Sequence, residues 1–190
     1  MVKASYFYLR RVFSPVLASF RSNDDRSVEL WITNDMLSAI SEHVTVRLET
    51  FDGTLVWQTS VPVNLPARQS RPIAAWTAER LGPANDRYLA VRSPSDTFPS
   101  NRHFFAPIKE LRRPKSDPTM TITSISPHEL HVELAGAPDA YALFVHLLVP
   151  HEATRYSDNY LDLAPGEVRV VTVTNPVVRL APETVTLGWR

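Results

Sequence analysis

Sixteen prolines recur along these 190 residues, against only five glycines. Proline fixes φ and removes a backbone donor, so it interrupts helices and suits strand edges, strand starts and turns. At this density it rules out long helices and divides the chain into short segments. Within those segments apolar and polar residues alternate. Val28, Leu30 and Ile32 alternate with Glu29, Trp31 and Thr33, and Val44, Val46 and Leu48 with Thr45, Arg47 and Glu49. A period of two is the signature of a half-buried strand. Asp52-Gly53 is a hairpin signal, and Leu55, Trp57 and Thr59 follow it on one face.

Further strands are expected at Val16 to Phe20, Arg71 to Trp76, Tyr88 to Arg92 and Arg102 to Ile108. A basic, proline-punctuated stretch, Leu111-Arg112-Arg113-Pro114-Lys115-Ser116-Asp117-Pro118, reads as a linker. Beyond it a second set is expected at Met120 to Ser126, Glu129 to Ala135, Leu143 to Val149, Tyr160 to Leu163, Val168 to Val173 and Val185 to Trp189. Short strands at regular spacing, joined by turns, point to an all-β chain of two tandem β-sandwiches. The domain reading is residues 14–112 for the first, 113–118 for the linker and 119–190 for the second. One short helix is expected at the N-terminus, from Ala4 to Phe13, ended by Pro15. Tyr6, Phe7, Leu9 and Phe13 make it too apolar for a lone solvated helix, so it needs something to lie against.

Lys plus Arg and Asp plus Glu both number 20. A balanced chain lacks the electrostatic footprint of a nucleic-acid binder. No apolar run approaches the ~20 residues of a membrane-spanning helix, and no signal peptide is read at the N-terminus. Without cysteine, disulfides and thiolate chemistry are excluded. The five glycines are scattered, so no phosphate-cradling loop can be drawn. No cofactor or metal is expected. His128 and His131 point to opposite faces of a strand, His146 and His103 read as packed, and His43 and His151 as solvated. Asp158 with Asp162, and Glu129 with Glu133, are close enough in sequence to be weighed as a carboxylate pair. Asp158 and Asn159 read instead as backbone caps of the Asx type. Pro165-Gly166 fits the two central positions of a type II turn. Among the tryptophans, Trp57 reads as core, whereas Trp31 points away from Val28, Leu30 and Ile32. An outward indole is a ligand platform or an interface anchor, and here the interface is the preferred reading.

Two stretches carry a family resemblance. Ser157-Asp158-Asn159-Tyr160-Leu161-Asp162-Leu163-Ala164-Pro165-Gly166-Glu167 resembles the S-D-N-Y-F-D-L-x-P-G-E segment near the C-terminus of β-mannosidases of glycoside hydrolase family two. Lys3 to Leu17 resembles the K-x-S-Y-Y-x-L-K-R-x-x-x-P-V-L segment that leaves the catalytic (β/α)8 barrel of that family, and Val28 to Asp35 resembles its V-x-V-W-V-x-N-D strand. Leu161 stands where the family often has Phe. The resemblance implies two immunoglobulin-like β-sandwiches preceded, over residues 1–13, by the remnant of the last barrel helix. It implies a non-catalytic role, because the family's paired glutamates lie in the barrel and match nothing here. The partner would be the barrel of the same parent chain, docked through Tyr6, Phe7, Leu9, Phe13 and Trp31, with Asp158, Asn159, Tyr160, Pro165 and Gly166 as a structural motif. The parent would hydrolyse terminal β-mannosides with retention. Related exo-glucosaminidases share this layout, so the sugar is less fixed than the architecture. The alternative is a free-standing carbohydrate-binding or adhesive module.

Overall fold

The computed structural model describes residues 3–190. It contains two compact units. The first comprises residues 10–50 and 54–112; the second comprises 113–190 together with 51–53 and the described residues up to Leu9.

In the first unit the strands are β1 (Val16–Ser22), β2 (Val28–Asn34), β3 (Ile40–Thr50), β4 (Leu55–Leu65), β5 (Gln69–Trp76), β6 (Arg87–Arg92) and β7 (Asn101–Phe104). They form two antiparallel sheets, ordered β1-β2-β5 and β4-β3-β6-β7. The alternation read from sequence is realised: Val28, Leu30 and Ile32 are buried, as are Val44, Val46 and Leu48. These side chains meet Val63, Leu65, Leu89, Val91 and Trp76 in one core. Trp57 packs on that core, its ring stacked on Trp76 at 5.8 Å. Asn34 is a buried polar exception, and its amide is fully engaged. It donates to the carbonyls of Ser38, Leu65 and Pro66 and accepts from the Met36 amide, holding the exit of β2 against the end of β4. The edge next to β1 is tied by side chains from β7: Asn101 donates to the Ala18 carbonyl at 2.8 Å, and His103 shares a 3.0 Å hydrogen bond with the Ser22 hydroxyl. Burial holds the His103 imidazole below its ordinary range.

The second unit has β8 (Thr119–Ser126), β9 (Glu129–Ala135), β10 (Ala142–Leu148), β11 (Arg155–Tyr156), β12 (Leu161–Leu163), β13 (Val168–Thr174) and β14 (Thr186–Gly188). The sheets are β12-β10-β14 and β11-β13-β9-β8. Leu130, Val132, Leu134, Val145, Leu147, Leu163, Val171 and Val173 form the core between them. Asn175 plays here the part that Asn34 plays above. It is wholly buried, donates to the Glu152 carbonyl and the Thr154 hydroxyl, and accepts from the amides of Val177 and Val178.

Both units are immunoglobulin-like sandwiches, and the one helix of more than a single turn is α1 (Ala4–Val12) among the described residues. α1 ends one residue earlier than expected from sequence, Phe13 already lying in the turn before Pro15.

Candidate functional site

The stretch from Ser157 to Glu167 threads between the two sheets' partners in the second unit, and its polar side chains are committed to backbone. Ser157 exchanges two bonds with Thr172: its amide donates to the Thr172 carbonyl, and its hydroxyl accepts from the Thr172 amide. Asp158 Oδ1 accepts from the Asn159 amide at 2.8 Å, a local turn bond. Asn159 reaches much further. Its Oδ1 accepts from the Leu147 amide at 2.8 Å, and its Nδ2 donates to the Leu147 carbonyl at 2.9 Å. A side-chain amide thus supplies β10 with the donor and acceptor that a neighbouring strand would give. Asn159 is 3% exposed, so both groups would be unsatisfied without it.

Two bulky residues here hold left-handed backbone, Phe144 at φ +53° and Tyr160 at φ +52°. Such conformations are costly for non-glycine residues and persist only when the surroundings enforce them. Asp162 does so for Phe144, accepting its amide at 3.0 Å where the pairing of β10 and β12 changes register. The Tyr141 hydroxyl donates to the other oxygen of Asp162. Tyr160 is held by its amide bond to Asn159 Oδ1 and by a parallel stack on His146, 4.9 Å between centroids. Ala164 to Glu167 then closes a tight turn, with the Glu167 amide on the Ala164 carbonyl and Gly166 at φ +67°. That positive φ is the one a type II turn requires of its third residue. Glu167 folds back to accept the Ala164 amide and the Arg169 guanidinium. Asp158, Asp162 and Glu167 therefore all serve as hydrogen-bond acceptors for the fold. The sequence reading limited Asp158 and Asn159 to local caps. The contact of Asn159 with Leu147 lies twelve residues away and leaves no signature in a linear pattern.

α1 corrects one expectation. Phe7 was grouped with Tyr6, Leu9 and Phe13 as a surface for an absent partner, but it is 2% exposed. Its ring lies 6.5 Å from that of Tyr156 and 6.2 Å from that of Tyr160, so it belongs to this unit's own packing. Burial also raises the Tyr156 phenol above its ordinary range, and its oxygen accepts from the Val149 amide. Tyr6, Leu9 and Phe13 behave differently, at 52%, 53% and 79% exposed. Tyr6 and Leu9, three residues apart, share one face of α1, and Phe13 lies in the turn that follows it.

Trp31 lies on the face of β2 opposite the buried residues, half-buried, with Glu29 and Thr33 beside it. Its indole N–H donates to Glu29 Oε2 at 2.8 Å. Across the sheet it faces Ser19 on β1 and Pro72 on β5, and the Thr33 and Ser70 hydroxyls bond at 2.8 Å. Trp57 carries the Arg80 guanidinium 5.0 Å from its ring centroid, which leaves less of that ring open than a bare platform would have. No group of three metal-binding side chains comes together among the described residues. His131 meets Glu129, whereas His128 bonds the carbonyls of Asn175 and Val178.

Comparison with known proteins places this geometry. Residues 26–110 match the family described as the mannosidase Ig/CBM-like domain, and residues 114–186 match the Ig-fold domain family of mannosidases. Comparison with curated proteins returns no match. Among solved structures, the β-D-mannosidase from Dictyoglomus thermophilum superposes with a TM-score of 0.82 at 20% identity, over 99% of this chain and 23% of that one. The Amycolatopsis orientalis exo-chitosanase CsxA gives 0.58 at 15% identity, over 97% of this chain and 26% of that one. At these identities the likeness is one of fold. The chain spans about a quarter of the length of either structure. It belongs to the immunoglobulin-like domain families of mannosidases, a mannosidase Ig/CBM-like domain followed by an Ig-fold domain.

Proposed function

We propose that this chain is the non-catalytic C-terminal part of a β-mannosidase-type glycoside hydrolase and buttresses the catalytic barrel that precedes it. The observation that carries this reading is α1. One side holds Phe7 in the second unit's own core, while Tyr6 and Leu9 stand more than half exposed elsewhere on the helix. An exposed apolar stripe of this kind is the surface of a helix that meets a partner. In this reading the partner is the barrel, with Trp31 as a second contact: burying its indole is worth about 1.5–3 kcal/mol. The segment around Asp158, Asn159, Tyr160, Pro165 and Gly166 is scaffold, since its polar atoms serve backbone groups of its own unit. The parent enzyme cleaves terminal β-mannosides with retention, its two catalytic carboxylates lying outside these residues.

A chromogenic β-mannoside and the matching β-glucosaminide, each incubated with concentrated purified chain, test the non-catalytic role. No turnover above a mock preparation is expected with either. Turnover that follows the chain through repurification contradicts the proposal.

A further inference from the structure

Strand β8 forms one edge of the sheet β11-β13-β9-β8, and β9 is its one strand partner among the described residues. An edge strand presents a row of unpaired N–H and C=O groups, and proteins ordinarily guard such edges with charges, proline or extreme shortness. β8 has neither charge nor proline and is eight residues long, and its one irregularity is a bulge between Ser124 and Ser126. Thr119-Met120-Thr121-Ile122-Thr123-Ser124-Ile125-Ser126 contains no charged side chain and no proline, and Pro118 and Pro127 stand just outside it. Its pairing with β9 is regular from Thr119 to Ser124. Thr119, Thr121 and Thr123 are exposed, and Ile125 is 51% exposed. β-Branched residues of this kind favour strand pairing. The uncharged edge strand of the other sandwich, β4, differs because Pro62 interrupts it.

We infer that β8 pairs antiparallel with β8 of a second copy of this chain, so that two four-stranded sheets become one of eight strands. A two-fold axis sets the strand against its own reverse. Because β8 carries no charge, this brings no like charges together. A register that keeps Met120 and Ile122 on the core side leaves the threonines facing one another on the solvent side, where hydroxyl pairs are favourable. A single strand pair buries less than the ~1,600 Å² of a standard interface, so the dimer is weak and forms as concentration rises.

Sedimentation velocity over a concentration series, with hydrogen exchange at its two ends, tests this on the unmodified chain. A dimer that grows with concentration is expected, with β8 amides gaining protection as it forms. Thr121→Lys and Thr123→Lys, which set like charges across the axis, should each weaken association about tenfold with an unchanged circular dichroism spectrum. Val170→Lys, on the exposed face of β13, and the pair Leu9→Ser with Phe13→Ser should leave it intact. A chain monomeric throughout the series overturns the inference. So does an association indifferent to lysine in β8, or one lost with Val170→Lys or with the helix pair.

Discussion

Asn159 shows how much one side chain can hold. Its amide satisfies the N–H and C=O of Leu147 near the end of β10 and the amide of Tyr160, whose backbone is left-handed. Truncation leaves buried backbone groups without partners, a loss of about 1–3 kcal/mol. Asn159→Ala should therefore lower the unfolding free energy read from denaturant titration by that amount, and Asp158→Ala, which loses a local turn bond, by less. Equal effects of the two, or none, would remove Asn159 from the scaffold. His103 gives a pH dependence whose sign is fixed. Burial beside Phe20 and Phe105 depresses its folded-state pKa, so the unfolded chain takes up the proton first. The stability tied to neutral His103 is present above the unfolded value of about 6.5 and is lost as pH falls toward the folded one. His103→Gln should flatten the decline in denaturant midpoint on acidification through that window. Parallel declines in the two proteins would show that His103 does not contribute to it.

At the scale of elements, α1 separates two roles that its sequence merges. Helical spacing puts Phe7 with Arg11 on a different face from Tyr6, Leu9 and Phe13, yet the apolar character of the whole segment points all four at an absent partner. Phe7 instead packs beside Tyr156 and Tyr160. Deleting the helix should therefore destabilise the second sandwich rather than merely improve its behaviour in solution. Phe7→Ala should cost about 3–5 kcal/mol, as for a large aromatic removed from a core. Leu9→Ser with Phe13→Ser should leave stability within about 0.5 kcal/mol while reducing binding of a hydrophobic dye. Destabilisation of similar size by both changes would place the stripe in the core as well. The strands were more legible. Their period of two follows directly from one buried and one open face, which is why Val28 to Thr33 and Val44 to Glu49 are legible as strands. The two left-handed aromatics were not legible. Phe144 and Tyr160 are residues that ordinarily avoid that backbone, and what enforces it, Asp162 and Asn159, acts through tertiary contacts.

For the molecule as a whole, two seven-stranded sandwiches account for nearly every apolar run in the chain. The sequence resemblance, the two family matches and the fold of the Dictyoglomus thermophilum β-D-mannosidase agree on what these domains are. The claim beyond them is that they work as part of a larger enzyme. Antiserum raised against this chain, used to recover the native protein from its source, tests that claim by measuring polypeptide mass and β-mannosidase activity in one precipitate. The account predicts a polypeptide roughly four times as long, from coverage of 23% and 26% of the matched structures, with activity that coprecipitates. A native polypeptide of 190 residues without activity would contradict it.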